Sequence, residues 1–491
     1  MRILLVHPRH PTTFWSFEHV VRFASKRCAF PPLGLLTVAA LLPREWELDL
    51  VDLNVRPLRD EDVQRADCVF LSAMIVHRES VREIVLRCRA AGKRVVAGGP
   101  LFTAAHDEFP EIDHFVLGEA EDVVQELVRD LERGELRRVY SNAERPDVAR
   151  SPVPRWDLVD PRHYVAMSVQ FSRGCPYDCE FCYIVVMNGR VPRTKRPEQL
   201  VAELDALRAL GWKDMVFVVD DNFIGDKGRT KTLLRAVIAW RARTGASMGF
   251  LTEASVNLAD DPELCELMVQ AGFKKVFLGL ETPAEESLHE CHKTQNERRD
   301  LVGAVRTIQR SGLEVLGGFI VGFDHDPADI FERQFEFIQR SGVATAMVGL
   351  LTALPRTRLH ERLAREGRLA GTSTGNNTDA VLNFEPVLGR AFLVDGYRRL
   401  MHRLYEPRNY YRRVRTFLAH HRPRGPRVRL SGADVKAFLR SLWFLGVRHR
   451  GRRAFWRLFS TTLVRRPRHV RTAIELAILG FHFRRVARAL A

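Results

Sequence analysis

Twice along this chain, apolar runs of strand length alternate with helix-length segments, and that alternation confines it to parallel sheets covered by helices. In the first stretch the strand-like runs are residues 3–6, 47–51, 68–71, 94–97 and 114–117, separated by helical patterns such as 33–42 and 81–90. A doubly wound parallel sheet is therefore expected over residues 1–140. Ligands of such sheets sit at the carboxyl ends of the strands. The residues placed there are Ser72 to His77, then Gly98-Gly99-Pro100, then Gly118-Glu119. A cofactor-sized hollow beside Ser72, Gly98, Gly99, Gly118 and Glu119 is the expectation.

A link over 141–164 follows, in which Pro146, Pro152, Pro154 and Pro161 discourage helix. The alternation then resumes, with strands expected at 167–172, 215–219, 248–253, 275–280, 315–321 and 346–350. Six βα units over 165–370 read as a partial (β/α)6 barrel, whose active site belongs at the strand C-termini. Residues 371–491 turn helical and basic, giving an α-rich C-terminal region. Three regions of this size fit the 491 residues.

The net charge of +16 is uneven, because residues 401–491 hold 23 Lys and Arg against Glu406, Asp434 and Glu475, a local balance of +20. Eight cysteines are thinly spread except for one tight trio, which does not suit a secreted disulfide framework. The N-terminus reads as a buried strand rather than a signal peptide, and no apolar run approaches the roughly eighteen residues that cross a bilayer. A cytoplasmic protein is expected.

The trio is Cys175-Pro-Tyr-Asp-Cys179-Glu-Phe-Cys182. Three thiolates in so short a loop can wrap a cubane iron–sulfur cluster and leave one iron open. The alternatives are a zinc site or a fully ligated cluster, and both require a fourth ligand nearby. Cys265 and Cys291 are isolated in sequence, and the loop holds no histidine.

This motif, with Phe181 before the third cysteine, resembles that of the radical S-adenosylmethionine superfamily. The resemblance implies that Cys175, Cys179 and Cys182 ligate a 4Fe-4S cluster whose fourth iron binds S-adenosylmethionine. It also implies reductive cleavage to a 5′-deoxyadenosyl radical, with an electron from a flavodoxin or ferredoxin. Asp220-Asp221-Asn222-Phe223 stands where the family's Gly-Gly-Glu segment holds the methionine amino group. Glu253 and the Glu281 of Gly279-Leu-Glu-Thr are placed to accept hydrogen bonds from ribose or methionine. Each could instead be a salt-bridged structural acid. Gly317 and Gly318 fit a barrel strand that adenine approaches.

A doubly wound domain in front of such a barrel resembles the cobalamin-binding class, as do Phe30-Pro-Pro-Leu-Gly34 and Gly118-Glu119-Ala-Glu121. The Asp-x-His-x-x-Gly cobalt-ligating motif is missing, which implies either base-off cobalamin without a histidine ligand or a domain that has lost the cofactor. His7, His10 and His77 lie near strand ends, where they would touch corrin or serve as satisfied polar residues. Methylthiotransferases place a second cluster in this domain, but Cys28, Cys68 and Cys88 read as core residues.

The stretch from Asn383 to Tyr397, with Tyr405 to Tyr411, resembles the C-terminal extension of hopanoid methylases and favours a lipid-like or polycyclic substrate. Tyr397, Tyr405, Tyr410, Tyr411, Trp443, Phe444 and Trp456 are interleaved in this C-terminal region. The segments around Arg452-Arg453 and Arg484-Arg485, with the aromatic anchors of residues 401–491, suit an anionic lipid surface and peripheral contact with the inner membrane face. A packed charged helical domain is the alternative; no nucleic-acid recognition motif is present. The readings are cobalamin-dependent radical C-methylation, radical cyclisation or rearrangement, and a non-catalytic cluster or cobalamin sensor.

Overall fold

A computed structural model describes residues 1–21, 23–142, 144–425 and 432–490. Its first sheet comprises β1 (Arg2–His7), β2 (Glu47–Asp52), β3 (Cys68–Ser72), β4 (Arg94–Gly98), β5 (His114–Leu117) and β6 (Val139–Ser141), all parallel, in the order β2-β1-β3-β4-β5-β6. Alternate side chains feed opposite faces, as the two-residue period of a strand requires. Leu4, Val6, Val69 and Leu71 enter one apolar cluster, and Ile3, Leu5, Cys68 and Phe70 another. The sixth strand went unread because only Tyr140 of its three residues is buried. Strand order reverses between β1 and β3, and such a switch point opens a crevice at the strand carboxyl ends.

The second sheet contains β7 (Ala166–Val169), β10 (Met215–Val218), β11 (Gly249–Ala254), β12 (Phe273–Glu281), β13 (Glu314–Val321) and β14 (Ala346–Leu350), again all parallel, in the order β14-β13-β12-β11-β10-β7. Its first strand stops earlier than the expected 172. Asp220 accepts the Phe171 and Ser172 amides at 2.8 Å each, which diverts them from the ladder. The chain then forms β8 (Ser172–Arg173), paired antiparallel with β9 (Arg193–Thr194), and the cysteine loop lies between the two.

The C-terminal helices share one continuous apolar cluster with the barrel, running from Met167 and Val216 to Tyr397, Tyr410 and Phe483. The helix Arg390–Tyr405 covers β14, the edge strand of the open barrel. Tyr397 Oη donates to Val348 O at 3.0 Å, and Tyr405 Oη accepts the Ala346 amide at 3.2 Å. This corrects the sequence expectation for part of the tail. Tyr397, Tyr405, Tyr410 and Tyr411 are core residues, and Arg484 is 5% exposed, its Nε donating to Tyr405 O at 3.0 Å. Among the described residues, no helix is long and apolar enough to cross a membrane.

Candidate functional site

The cysteine loop is shaped from beneath by acids after β10. Asp221 accepts the Gly174 amide at 3.0 Å and the Asn188 side-chain amide at 2.7 Å, while Asn222 Nδ2 lies 3.6 Å from Cys175 Sγ. Burial raises Asp220 to about 7, and burial together with Asp221 and Asp220 raises Glu253 to about 8. On the other side Gln295 Nε2 lies 3.7 Å from Cys179 Sγ, and the Glu180 amide donates to Cys291 O at 2.9 Å. Arg362 joins Glu180 at 2.8 Å to Asp324 at 2.9 Å, tying the loop to the helix Arg358–Arg365.

Among the described residues only His7, His10 and His77 bring three ligand atoms within 4.8 Å of one another, so the three cysteine sulfurs do not gather that tightly. Tetrahedral ligation of one zinc at about 2.3 Å per sulfur needs closer sulfurs than that. The Asn222 and Gln295 amides, at 3.6 and 3.7 Å from the Cys175 and Cys179 sulfurs, fit donors to the sulfurs of an iron–sulfur cluster. Cys265 and Cys291 are buried thiols, and burial raises Cys265 to about 11.

Glu281 ends β12 beside a register shift at Gly279, with its backbone in the left-handed region at φ 58°. Non-glycine residues hold that conformation at a cost, often where a site demands it. Its carboxylate accepts from Lys293 Nζ at 2.7 Å. Burial opposes the Lys293 ammonium, but Glu281, with Cys179 and Cys182 beside it, outweighs burial and raises its pKa. Lys293 also stands 5.9 Å over the Phe181 ring. Gly279 must lack a side chain here, because a Cβ would overlap Glu281 Oε1 and lie 2.8 Å from Lys293 Nζ.

Above these residues lies a cavity of about 330 Å³, bounded by Phe181, Phe277, Glu281, Gly318 and Met347 at the barrel mouth. Trp15, stacked on Phe217 at 4° between planes, forms one wall. Residues 372–377 line it as a continuous segment, the strap. The strap rests on the first domain, since a Cβ on Gly375 (φ 71°) would lie 2.9 Å from Ile75 Cβ. Gly317 and Gly318 make room for aromatic rings, with Phe319 and Phe277 each 2.8 Å from the Cβ positions.

At the β1/β3 switch point the three histidines form an ordered relay. The Met74 amide donates to His77 Nδ1 at 3.1 Å, so the His77 proton resides on Nε2, 2.8 Å from His10 Nδ1. His10 then carries its proton on Nε2 and donates to His7 Nε2 at 3.3 Å, and His7 bonds onward to the Ser72 backbone. Burial first, then neighbouring histidines, lowers His77 to about 2 and His7 to about 3, so all three are neutral. Every ring lone pair is engaged.

The remaining sequence-selected residues also acquire definite places. Gly99 (φ 93°) faces Ser72, whose Oγ would lie 2.8 Å from a Cβ, and Gly98 packs under Val116. The Gly118 amide donates to Thr103 Oγ1 at 2.9 Å. Glu119 is engaged by two barrel guanidiniums, Arg173 at 2.6 Å and Arg193 at 2.5 Å, which makes it an interdomain contact. Cys28, Cys88 and Cys68 belong to three different apolar clusters and do not converge. Lys293, Gln295, Trp15 and the strap were not found from the sequence, where no periodicity or motif sets them apart.

Three families match successive parts of the chain: the B12 binding domain at residues 21–128, the Radical SAM superfamily at 169–338, and the domain of unknown function DUF4070 at 357–491. An uncharacterized methyltransferase of Synechocystis sp. is 42% identical over 98% of this chain and 91% of its own length. The hopanoid C-2 methylase of Rhodopseudomonas palustris is 36% identical over 94% of this chain and 90% of its own. OxsB, a cobalamin-dependent S-adenosylmethionine radical enzyme solved with aqua-cobalamin and S-adenosylmethionine, shares the fold. Its TM-score is 0.65 over 100% of this chain and 79% of that one, at 14% identity.

A B12-binding sheet joined to a radical barrel makes the protein a cobalamin-dependent radical S-adenosylmethionine enzyme. It belongs to the methyltransferase family that includes the hopanoid methylases, and its cofactors are a 4Fe-4S cluster, S-adenosylmethionine and cobalamin.

Proposed function

We propose that the enzyme methylates an unactivated carbon of an apolar, polycyclic, lipid-like substrate held in the cavity under the strap. One observation carries this reading: a single cavity touches Phe181, beside the third cysteine, while its strap rests on Ile75 at the switch point. Substrate there lies between the two centres. When bound, S-adenosylmethionine on a reduced cluster supplies hydrogen abstraction, and cobalamin supplies the transferable methyl group.

In this reading Cys175, Cys179 and Cys182 hold the cluster, with Asn222 and Gln295 donating to its sulfurs. Asp221 keeps the loop in place through Gly174, and Glu253 and Glu281 face the nucleoside and the methionine. Ser72, Gly98, Gly99 and Gly118 shape the switch-point crevice for corrin, and Glu119 with Arg173 fixes the crevice relative to the barrel. Trp15, Phe277 and Met347 offer flat apolar surface to the substrate, and the strap excludes water from the reaction. A reductant such as flavodoxin or ferredoxin supplies the electron. The enzyme works in the cytoplasm, on the inner face of the membrane that holds a lipid-like substrate.

The test is mass spectrometry of the product formed by reconstituted enzyme from a membrane-lipid extract and S-adenosylmethionine with a deuterated methyl group. Intact transfer of the labelled methyl to a polycyclic lipid supports the reading. An unlabelled, cyclised or rearranged product overturns it.

A further inference from the structure

Seven large apolar side chains stand exposed on the helix Gly432–Trp443, the turn after it and the helix Arg452–Arg465: Val435, Leu439, Trp443, Val447, Trp456, Leu463 and Val464. Leu439 is 59% exposed, Trp443 61% and Val464 80%. They do not lie at random. Val435, Leu439 and Trp443 recur every four residues, and Trp456 and Leu463 are seven apart, so each helix presents one apolar stripe. Phe438 and Leu442, on the adjoining face of the first helix, pack into the core. The apolar arc is thus wider than the protein itself covers.

The two helices meet beside these stripes, since Trp456 Nε1 donates to Gly446 O at 2.8 Å and Phe438 meets Phe459 at 6.2 Å. Basic side chains surround them. Between residues 432 and 468 there are ten Lys and Arg and a single acid, Asp434. Lys436, Arg448, Arg450, Arg452, Arg453 and Arg457 are exposed. A contiguous exposed apolar patch marks an interaction surface. Aliphatic and tryptophan side chains interleaved with unbalanced positive charge match the interface of an anionic bilayer, where the apolar groups enter the acyl boundary and the arginines meet phosphate.

We propose that this two-helix face docks on an anionic lipid bilayer. The inference rests on the lipid-substrate reading for its purpose alone. It is also connected to the cavity: Arg440 donates to Ser25 Oγ at 2.7 Å, Phe444 packs on Phe23 at 5.8 Å, and the same segment carries Trp15 into the cavity wall. Residues 13–21 and 23–25 therefore link the docking face to the cavity wall. The face differs from the one suggested by the sequence in excluding Arg484 and the tyrosines, which are buried.

The test is flotation of the cluster-loaded enzyme with vesicles of phosphatidylcholine alone and of phosphatidylcholine mixed with phosphatidylglycerol. Binding should require the anionic lipid. It should also weaken as salt shortens the Debye length from about 10 Å at 0.1 M to about 3 Å at 1 M. Tryptophan emission should shift to the blue on binding. The double variant Leu439→Glu with Trp443→Glu should lose vesicle binding, and Arg452→Glu with Arg453→Glu should weaken it by about tenfold or more. Both should retain deoxyadenosine formation and far-ultraviolet circular dichroism. Equal binding to both vesicles, no binding, variants that bind like the parent, or RNA binding without vesicle binding would each overturn the proposal. None of these readouts depends on methyl transfer, so failure here leaves the proposed reaction standing.

Discussion

Lys293 reaches across the barrel mouth to Glu281 at 2.7 Å, which places a buried ammonium between a strained acid and the cysteine loop. Burial removes most of the solvent that would screen this charge, so its field acts on whatever negative charge the thiolates carry. Lys293→Met should leave iron content unchanged and shift the cluster's midpoint, read by electron paramagnetic resonance titration, to more negative potential by about 60 mV. That is roughly tenfold in a one-electron equilibrium. Lys293→Arg should recover most of the shift. An unchanged midpoint in Lys293→Met would reduce the residue to a structural partner of Glu281.

Removing one cluster ligand should be far more damaging than removing any other cysteine. Cys179→Ala should lose iron and deoxyadenosine formation together. Cys265, buried on the helix Pro262–Ala271, should tolerate alanine at a cost of about 1 kcal/mol in unfolding free energy with cleavage intact. Iron content and denaturant midpoints of the two variants separate the roles.

The histidine relay predicts the state of cobalt. With each ring lone pair already engaged, the reduced corrin should show no nitrogen superhyperfine splitting in its cob(II)alamin spectrum. His77→Ala, which removes the tether from Met74, should weaken corrin retention during gel filtration without creating such splitting. A split signal in the parent enzyme would mean that the relay opens and His7, His10 or His77 ligates cobalt.

Sequence periodicity revealed both parallel sheets because strands such as β1, β3 and β14 are buried on two faces and read as unbroken apolar runs. The short β6, with one buried residue, left no such trace, and the early end of β7 depends on Asp220, some fifty residues away in sequence. The cysteine loop was legible because its chemistry is packed into eight consecutive residues. Lys293, Gln295, Trp15 and the strap reach the site only through tertiary packing. The tail shows the opposite failure: Arg484 and Arg452 look alike in sequence, yet one bonds to Tyr405 in the core and the other is exposed.

The strap predicts uncoupling. Gly375 combines a left-handed backbone with close approach to Ile75, so Gly375→Leu should displace the strap from the first domain. Deoxyadenosine should still form, because the cysteine loop and the residues after β10 are untouched, while methylated product should fall by about tenfold or more as substrate loses its position between the two centres. Parallel loss of both products would show that the strap supports the barrel itself.

The clamp between the two sheets should appear in the pH dependence of stability. Glu121 is buried against Arg173 at 2.7 Å and Ser151, and although burial opposes its charge, these partners lower it from 4.5 to about 2. A carboxylate depressed in the folded state contributes stability that is present in full above its unfolded pKa and is lost as pH falls through the folded one. The window therefore runs from about pH 4.5 down to about pH 2, and a shift of this size corresponds to about 3 kcal/mol. Glu121→Gln should lower stability at neutral pH by an amount of that order and flatten the decline across the window, as measured by urea unfolding at a series of pH values. The bond from Arg173 to Glu119 remains in the variant, so the sheets should stay associated, and methylated product formed at neutral pH reports whether they do. An unchanged slope between pH 4.5 and pH 2 would show that Glu121 is not the group whose protonation opens the clamp.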